Sequence, residues 1–150
     1  FLDAELTENY CGFTDDLGNP VTVCDDPQAP AGTRLPISAE FKGNLTGRYT
    51  WDSEKEPFFQ ATLVHEGDRE SDLRILERGI LGRLPSYTTL DLSAGFRWNN
   101  MNIDFFLRNA FDEVAEFSRF VQCPETVCGE QRYITVNQPR TFGVWFSQEF

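Results

Sequence analysis

The feature that most constrains the fold of this chain is an alternation of apolar and polar residues with a period of two. It is clearest in residues 37–51, 88–98 and 101–108, and weaker in residues 1–10 and 57–66. Successive side chains of a β-strand point to opposite faces, so this pattern predicts strands with one apolar and one polar face. Helical periodicity is nearly absent.

A sixth strand is predicted at the end of the chain, in "TFGVWFSQEF" (residues 141–150), and the connections between the strands alternate in length. Residues 52–56 and 99–100 are short turns. The long connections are residues 11–36, 67–86 and 112–137. We therefore predict an all-β fold, an antiparallel meander of about six strands. Short turns at one end and long loops at the other are typical of an outer-membrane β-barrel.

One helix is expected within the long loops. The stretch "ESDLRILER" (residues 70–78) has Ser71 as a candidate N-cap. Glu70 and Arg74 stand at i,i+4 spacing, which suits an ion pair on a helix surface. We interpret this as a short loop helix with no function of its own.

Periodicity leaves open whether the apolar face forms the core of a soluble sandwich or meets lipid. The aromatic residues favour lipid, because they gather at both ends of the strands as interfacial belts do. Those at the short turns are Trp51, Phe58, Phe59, Trp98 and Phe150; those near the long loops are Tyr10, Tyr87, Phe111 and Phe142. The predicted lumen-facing residues are Glu40, Lys42, Arg48, Asp91, Arg97, Asp104 and Arg108. The predicted lipid-facing residues include Leu45, Leu92, Phe96, Ile103, Phe105 and Val144.

Composition excludes some partners and bounds the architecture. The net charge of -11 argues against nucleic acid, whose phosphates need Lys and Arg. No apolar run approaches the ~20 residues of a membrane helix. Six strands are too few to close a membrane barrel, which needs about 8. The chain also begins at Phe1 without an initiator Met. We therefore interpret it as a piece of a larger barrel, or as one of several copies that close a barrel together.

The four cysteines form two local pairs, Cys11 with Cys24 and Cys123 with Cys128, each in a polar loop. Neither spacing fits a zinc site, and His65 is the only histidine. Two loop disulfides in an oxidising compartment are the preferred interpretation, with four reduced thiols as the alternative. The sequence predicts no metal site, no cofactor and no catalytic residues, so we do not expect an enzyme.

The end of the chain resembles a known family. The stretches "RLPSYTTLDLSAGFRWNNMNIDFFLRNAFDE" and "QPRTFGVWFSQEF" are similar to the C-terminal end of TonB-dependent outer-membrane receptors. The family pattern has a strand opening on Y-T-x-(L/V)-D-L, a strand ending in N-(L/A)-F-D, and a final strand that begins P-R and ends on Phe. These correspond here to Tyr87–Leu92, Asn109–Asp112 and Pro139–Gly143, and the resemblance covers roughly residues 84–150.

The resemblance implies an active importer with a 22-stranded barrel and an N-terminal plug inside it. Residues 1–150 would form the C-terminal portion of that barrel, without the plug or the remaining strands. The implied partners are the rest of the receptor chain, the TonB energising complex acting through the plug, outer-membrane lipid and lipopolysaccharide, and the barrel assembly machinery. The implied cargo is a scarce nutrient such as a ferric siderophore, haem, a vitamin or a carbohydrate.

The last strand is expected to act as an assembly signal. Its apolar side carries Phe142, Val144, Phe146 and Phe150, and we interpret Phe150 as the C-terminus of the protein. Two other functions stay open: a structural or passive outer-membrane barrel closed by several copies, and a soluble β-sandwich binding module.

Overall fold

The computed structural model describes residues 2–120 and 132–148. The chain forms two compact units. The first, the sheet unit, comprises Lys42–Glu66, Tyr87–Ala115 and the residues from Asn137 onward. The second, the loop unit, comprises the residues up to Phe41 together with Gly67–Ser86 and Glu116–Val136.

Seven strands and one helix occur within the described ranges. In chain order they are β1 (Lys42–Thr50), β2 (Phe58–Glu66), α1 (Ile75–Leu81), β3 (Tyr87–Trp98), β4 (Met101–Arg108), β5 (Glu116–Phe120), β6 (Tyr133–Val136) and β7 (Thr141–Gln148). The sheet unit holds one five-stranded sheet in the order β1-β2-β3-β4-β7, and every neighbouring pair is antiparallel. The predicted all-β antiparallel fold is therefore confirmed.

The two short turns form where the sequence predicts them. Asn99 and Asn100 alone join β3 to β4, and Asn99 has φ of 54°, a left-handed conformation that asparagine tolerates well. Between β1 and β2, the Trp51 N–H donates to the Pro57 carbonyl at 2.9 Å and closes the longer turn. Both connections leave adjacent strands in direct register.

The first predicted strand does not join the five-stranded sheet. Residues 2–10 instead make isolated bridges inside the loop unit, Glu5 with Arg34 and Tyr10 with Ala29. β1 also begins later than the alternation indicates, at Lys42 rather than at residue 37. Ile37 has φ of 57°, and its N–H donates to the Glu70 carbonyl at 2.9 Å, so the backbone turns out of extended structure there.

The loop unit contains the predicted disulfide between Cys11 and Cys24, which is confirmed. Cys11 is buried at 4% exposure. Cys123 and Cys128 lie outside the described residues, and their pairing stays a prediction. α1 has seven residues, and no described helix is long and apolar enough to cross a membrane.

The helix differs from its prediction in both cap and ion pairs. Its N-cap is Arg74, which makes no side-chain capping bond, so Ser71 as cap is wrong. The Ser71 hydroxyl is buried and makes no hydrogen bond to any residue that the structure describes. Arg74 pairs with Asp72 and Glu77. Glu70 pairs with two arginines further along the chain, Arg78 and Arg83.

A hairpin that the alternation does not reveal forms within the last long connection. β5 and β6 pair with a register shift between Glu116 and Ser118, and the Ser118 and Thr135 hydroxyls lie 2.6 Å apart. Arg69, 2% exposed, donates to the Glu116 carbonyl at 2.7 Å. The hairpin thereby joins the rest of the loop unit through a buried arginine.

Two aromatic rings in the sheet unit lie across glycines of the neighbouring strand. Phe58 is paired with Gly95, and Phe106 with Gly143. A Cβ added at Gly95 would overlap the Asp104 carboxylate and lie 2.7 Å from the Phe58 ring and 2.9 Å from the Ile103 carbonyl oxygen. A Cβ added at Gly143 would overlap the Phe106 ring. These rings therefore occupy the space that a side chain would need.

Gly95→Ala should destabilise the full-length protein by about 1–3 kcal/mol, because the added methyl meets a backbone carbonyl as well as side chains. Urea unfolding in detergent, followed by tryptophan fluorescence, measures the change. The control is Gly47→Ala, since nothing lies within 4 Å of a Cβ there. We expect that control to stay within about 0.5 kcal/mol of the parent. Equal unfolding midpoints for the two variants would contradict the packing described.

Candidate functional site: the polar face of the sheet

The sheet has two chemically different faces, and the strand register defines them. Side chains of residues paired across an antiparallel ladder point to the same side of the sheet. The side on which one residue lies therefore fixes the side of the residues paired with it on every other strand. We call the side that carries Arg48 the polar face. Its members are Lys42, Asn44, Thr46, Arg48 and Thr50; Phe58, Gln60, Thr62, Val64 and Glu66; Tyr87, Thr89, Asp91, Ser93, Gly95 and Arg97; Asn102, Asp104, Phe106 and Arg108; and Thr141, Gly143, Trp145 and Ser147.

The opposite side, the apolar face, carries mostly aliphatic and aromatic residues. Its members include Leu45, Tyr49, Phe59, Leu63, Leu90, Leu92, Phe96, Ile103, Phe105, Leu107, Phe142, Val144 and Phe146. All six residues predicted to face lipid belong to it. Many of its side chains are exposed in this chain, Leu45 at 72% and Phe146 at 67%.

Six of the seven residues predicted to face the lumen share the polar face. They are Lys42, Arg48, Asp91, Arg97, Asp104 and Arg108. Glu40 precedes β1, and the sheet register does not reach it. Its carboxylate forms an ion pair with Arg34 at 3.0 Å. Two of the predicted belt aromatics, Phe58 and Tyr87, lie on the polar face instead of the apolar one.

Arginines cover both of the rings that lie on glycines. The Arg48 guanidinium carbon lies 3.8 Å from the centre of the Phe58 ring, and that of Arg108 lies 5.2 Å from the centre of the Phe106 ring. A guanidinium over an aromatic face is attracted by the ring quadrupole. The alternation treats Phe106 as a break in the polar side, whereas the ring is accommodated there because Gly143 has no side chain and the Arg108 guanidinium lies over the ring.

A cavity of about 220 Å³ opens at the short-turn end of the polar face. Arg48, Glu56, Phe58, Phe96, Arg97, Asn102, Asp104 and Ser147 line it. The Arg97 and Glu56 side chains approach to 3.9 Å, and the Asn102 amide lies 3.5 Å from the Ser147 hydroxyl. Guanidinium and amide donors here stand beside carboxylate acceptors, so the surface suits a polar, hydrogen-bonding occupant and offers no nucleophile with an adjacent base.

A second polar cluster marks the long-loop end of the same face. The Tyr87 hydroxyl donates to the Glu66 carboxylate at 2.5 Å, and Lys42 Nζ lies 3.3 Å from the same oxygen. Glu66 is 6% exposed. A buried carboxylate is stable only when paired and hydrogen-bonded, and this cluster meets both needs. The belt position predicted for Tyr87 is thus replaced by a role in satisfying Glu66.

His65 and Asp15, whose side chains are of types that can bind metal, take part in local hydrogen bonds. His65 Nδ1 lies 2.8 Å from the Thr88 hydroxyl. Backbone and side-chain hydrogen bonds from Asn19 lower the pKa of Asp15, whose carboxylate closes its own turn. No group of three His, Cys, Asp or Glu side chains among the described residues could hold a metal ion.

Asp72, which precedes α1, is also held in its charged form. Burial alone would raise the pKa of the Asp72 carboxyl, but hydrogen bonds from the Arg74 side chain and backbone outweigh it and lower that pKa. The stabilisation that Asp72 gives the folded loop unit is therefore present above the ordinary Asp value of 3.8 and is lost as pH falls through the lowered pKa.

Comparison with known proteins gives one match. A family model described as "TonB dependent receptor-like, beta-barrel" matches residues 3–110. This range contains β1 to β4 and much of the loop unit. No curated protein and no solved structure matches the chain.

Leu92 and Ser93 are neighbours in β3 on opposite faces, which makes them a matched pair for testing what each face meets. Leu92→Arg should cost about 2–4 kcal/mol if the apolar face lies in lipid, and Ser93→Arg much less. Refolding titrations of the full-length protein into lipid vesicles measure both. If the two arginines were tolerated equally, the assignment of lipid to the apolar face would be rejected.

Proposed function

Because the chain belongs to the TonB-dependent receptor β-barrel family, which comprises transporters of the bacterial outer membrane and not enzymes, we propose that it forms part of the barrel wall of an active importer. In this proposal residues 1–150 are the C-terminal portion of the barrel, the polar face lines the lumen, and the loop unit lies outside the cell.

The observation that carries the proposal is the separation of chemistry across five strands in unbroken register. Seven charged residues and the hydroxyls and amides between them share one face, and Leu, Ile, Val and Phe side chains share the other. A face as apolar and as exposed as that of Leu45 and Phe146 needs a covering of low polarity. Lipid supplies that covering, and a water-filled or plug-filled lumen suits the charged face.

The proposed partners follow from this placement. The rest of the receptor chain would complete the barrel, its plug would occupy the lumen, and the TonB complex would act on the plug. Lipid and lipopolysaccharide would surround the apolar face. The cavity lined by Arg48, Arg97, Asn102 and Asp104 supports a hydrogen-bonded contact with a polar occupant of the lumen.

The charges of the loop unit bear on the class of cargo. Arg34, Arg74, Arg78, Arg83 and Arg119 all form ion pairs with carboxylates. Residues 11–36 add four carboxylates against a single arginine. An anionic cargo would meet five arginines that are already paired with carboxylates, so these loops favour a neutral or cationic nutrient. Ferric siderophores, haem, vitamins and carbohydrates are the classes to compare.

Uptake measurements test the proposed function. Cells lacking the gene for the full-length protein should lose uptake of one labelled cargo among a ferric siderophore, haem, a vitamin and an oligosaccharide. In parent cells, removal of TonB or collapse of the proton-motive force should produce the same loss of uptake. In cells lacking the gene, neither treatment should lower uptake of that cargo further. Uptake that persists without proton-motive force would indicate a passive barrel. Recovery of the protein in the soluble fraction would indicate a sandwich module.

We also propose that β7 presents an assembly signal. Phe142, Val144 and Phe146 lie on the apolar face, opposite Leu107, Phe105 and Ile103 of β4. Phe150 lies outside the described residues, and its part in the signal stays a prediction. β7 pairs with β4 on one side, and its other edge needs a partner, because lipid cannot satisfy backbone N–H and C=O groups. The barrel assembly machinery would hold that edge before closure.

Phe146→Ser in the full-length protein should lower the amount of heat-modifiable folded barrel in outer-membrane fractions severalfold, because it removes an apolar residue from the face that enters lipid. Trp145→Ser, one residue away on the polar face, is the control and should lower that amount much less. An equal loss in both variants would mean that β7 is read for general hydrophobicity and not for its apolar face.

A further inference from the structure

We propose that the two ends of the long connection between β4 and β7 are joined by a register clamp, formed by Asn109, Asp112, Glu113, Asn137 and Arg140. The clamp holds β7 on β4 in its register whatever conformation residues 116–136 adopt. It is a conformational device of the sheet unit and stands whether or not the uptake proposal holds.

Asn109 is the centre of the clamp. It follows β4 directly, is 5% exposed and has φ of 50°. Its Nδ2 donates to the Glu113 carbonyl at 2.9 Å and to the Gln138 carbonyl at 3.1 Å, while its Oδ1 accepts the Glu113 N–H at 3.0 Å. Its own N–H donates to the Asp91 carboxylate at 2.8 Å. Through its backbone and its carboxamide, this one residue thus ties β3, the end of β4 and the approach to β7 together.

Asn137 supplies a second carboxamide. Its Nδ2 donates to the Glu113 carbonyl at 3.0 Å, and its Oδ1 accepts the Ala115 N–H at 3.0 Å. The Asn137 N–H in turn donates to the Ala115 carbonyl at 3.1 Å. Ala115 and Asn137 are therefore bonded like the first and last residues of a tight turn, although residues 116–136 separate them.

Asp112 and Arg140 close the clamp beside the strands. The Arg140 N–H donates to Asp112 Oδ1 at 2.9 Å, and the Arg140 guanidinium lies 3.8 Å from Asp112 Oδ2. The next residue, Thr141, opens β7 and pairs with Arg108, the last residue of β4. The clamp therefore stands at the first rung of the β4–β7 ladder.

This position explains how the clamp sets the register. A one-residue slip of β7 would move all of its apolar side chains to the polar face. The side-chain bonds of Asn109 and Asp112 reach particular backbone groups of Gln138 and Arg140, so a slip would break them. Asn109 is 5% exposed, and a buried carboxamide that loses its partners is costly, which penalises the slipped pairing further. Because hydrogen bonds between Ala115 and Asn137 already join the two ends of the connection, residues 116–136 are not needed to set the register of β7 on β4.

Two variants of the full-length protein test the proposal. In the first, Asn-Gly replaces residues 116–136, because a two-residue turn suits the existing Ala115–Asn137 bond. We expect its heat-modifiable folded fraction to equal that of the parent. In the second, Asn109→Gly keeps the left-handed backbone and removes three side-chain hydrogen bonds. We expect it to unfold in urea at least about tenfold faster than the parent.

Asn99→Gly is the matched control, since Asn99 has φ of 54° and is exposed in a turn. Its unfolding rate should stay within about twofold of the parent. Equal rates for Asn109→Gly and Asn99→Gly would overturn the clamp. Loss of folding in the loop replacement would overturn its independence from residues 116–136. Should Asn109→Gly yield no folded barrel, Asn109→Asp keeps the oxygen acceptor and loses both N–H donors, and a parental unfolding rate in that variant would also overturn the proposal.

Discussion

The structure depends first on the match between a two-residue side-chain period and an unbroken antiparallel register. In each of the four ladders of the sheet, the residue pairing determines which side chains of the next strand share a face with those of the last. A single slip would put Arg48 or Asp104 among Leu and Phe side chains, and the cost would grow with every residue of the strand. The short turns at one end and the clamp at Asn109 are the places where the chain prevents such a slip.

The sequence predicts the parts of this arrangement that are local. Alternation finds β1, β2, β3, β4 and β7, and the pair Asn99 and Asn100 marks a tight turn. The same alternation assigns Lys42, Arg48, Asp91, Arg97, Asp104 and Arg108 to one face, because parity along a strand is visible without any long-range contact. The Cys11–Cys24 pairing is local as well, and its short spacing within one polar loop favours it over two reduced thiols.

What the sequence does not show is long-range or exceptional. The position of Tyr87 near a strand end predicts a place in an aromatic belt, but its hydroxyl donates to Glu66 on the neighbouring strand. Ile37 continues the alternation of β1, yet the Glu70 carbonyl draws its backbone out of the strand. The β5–β6 hairpin is linked to Arg69 over a sequence separation of 47. Contacts such as these form only when distant segments meet in the folded structure, so the local alternation of apolar and polar residues does not predict them.

The rings of Phe58 and Phe106 pack against Gly95 and Gly143, and this packing affects the width of any passage that the polar face borders. A phenyl ring that stands upright from a sheet projects by most of its length toward the opposite wall. A ring that reaches across to a neighbouring glycine projects less than an upright one, and the arginine over it presents hydrogen-bond donors instead of carbon. In a barrel whose lumen the polar face lines, as proposed above, Gly95 and Gly143 would enlarge the space through which a hydrated solute or a polypeptide can move, while the sheet keeps the packing of two phenylalanines.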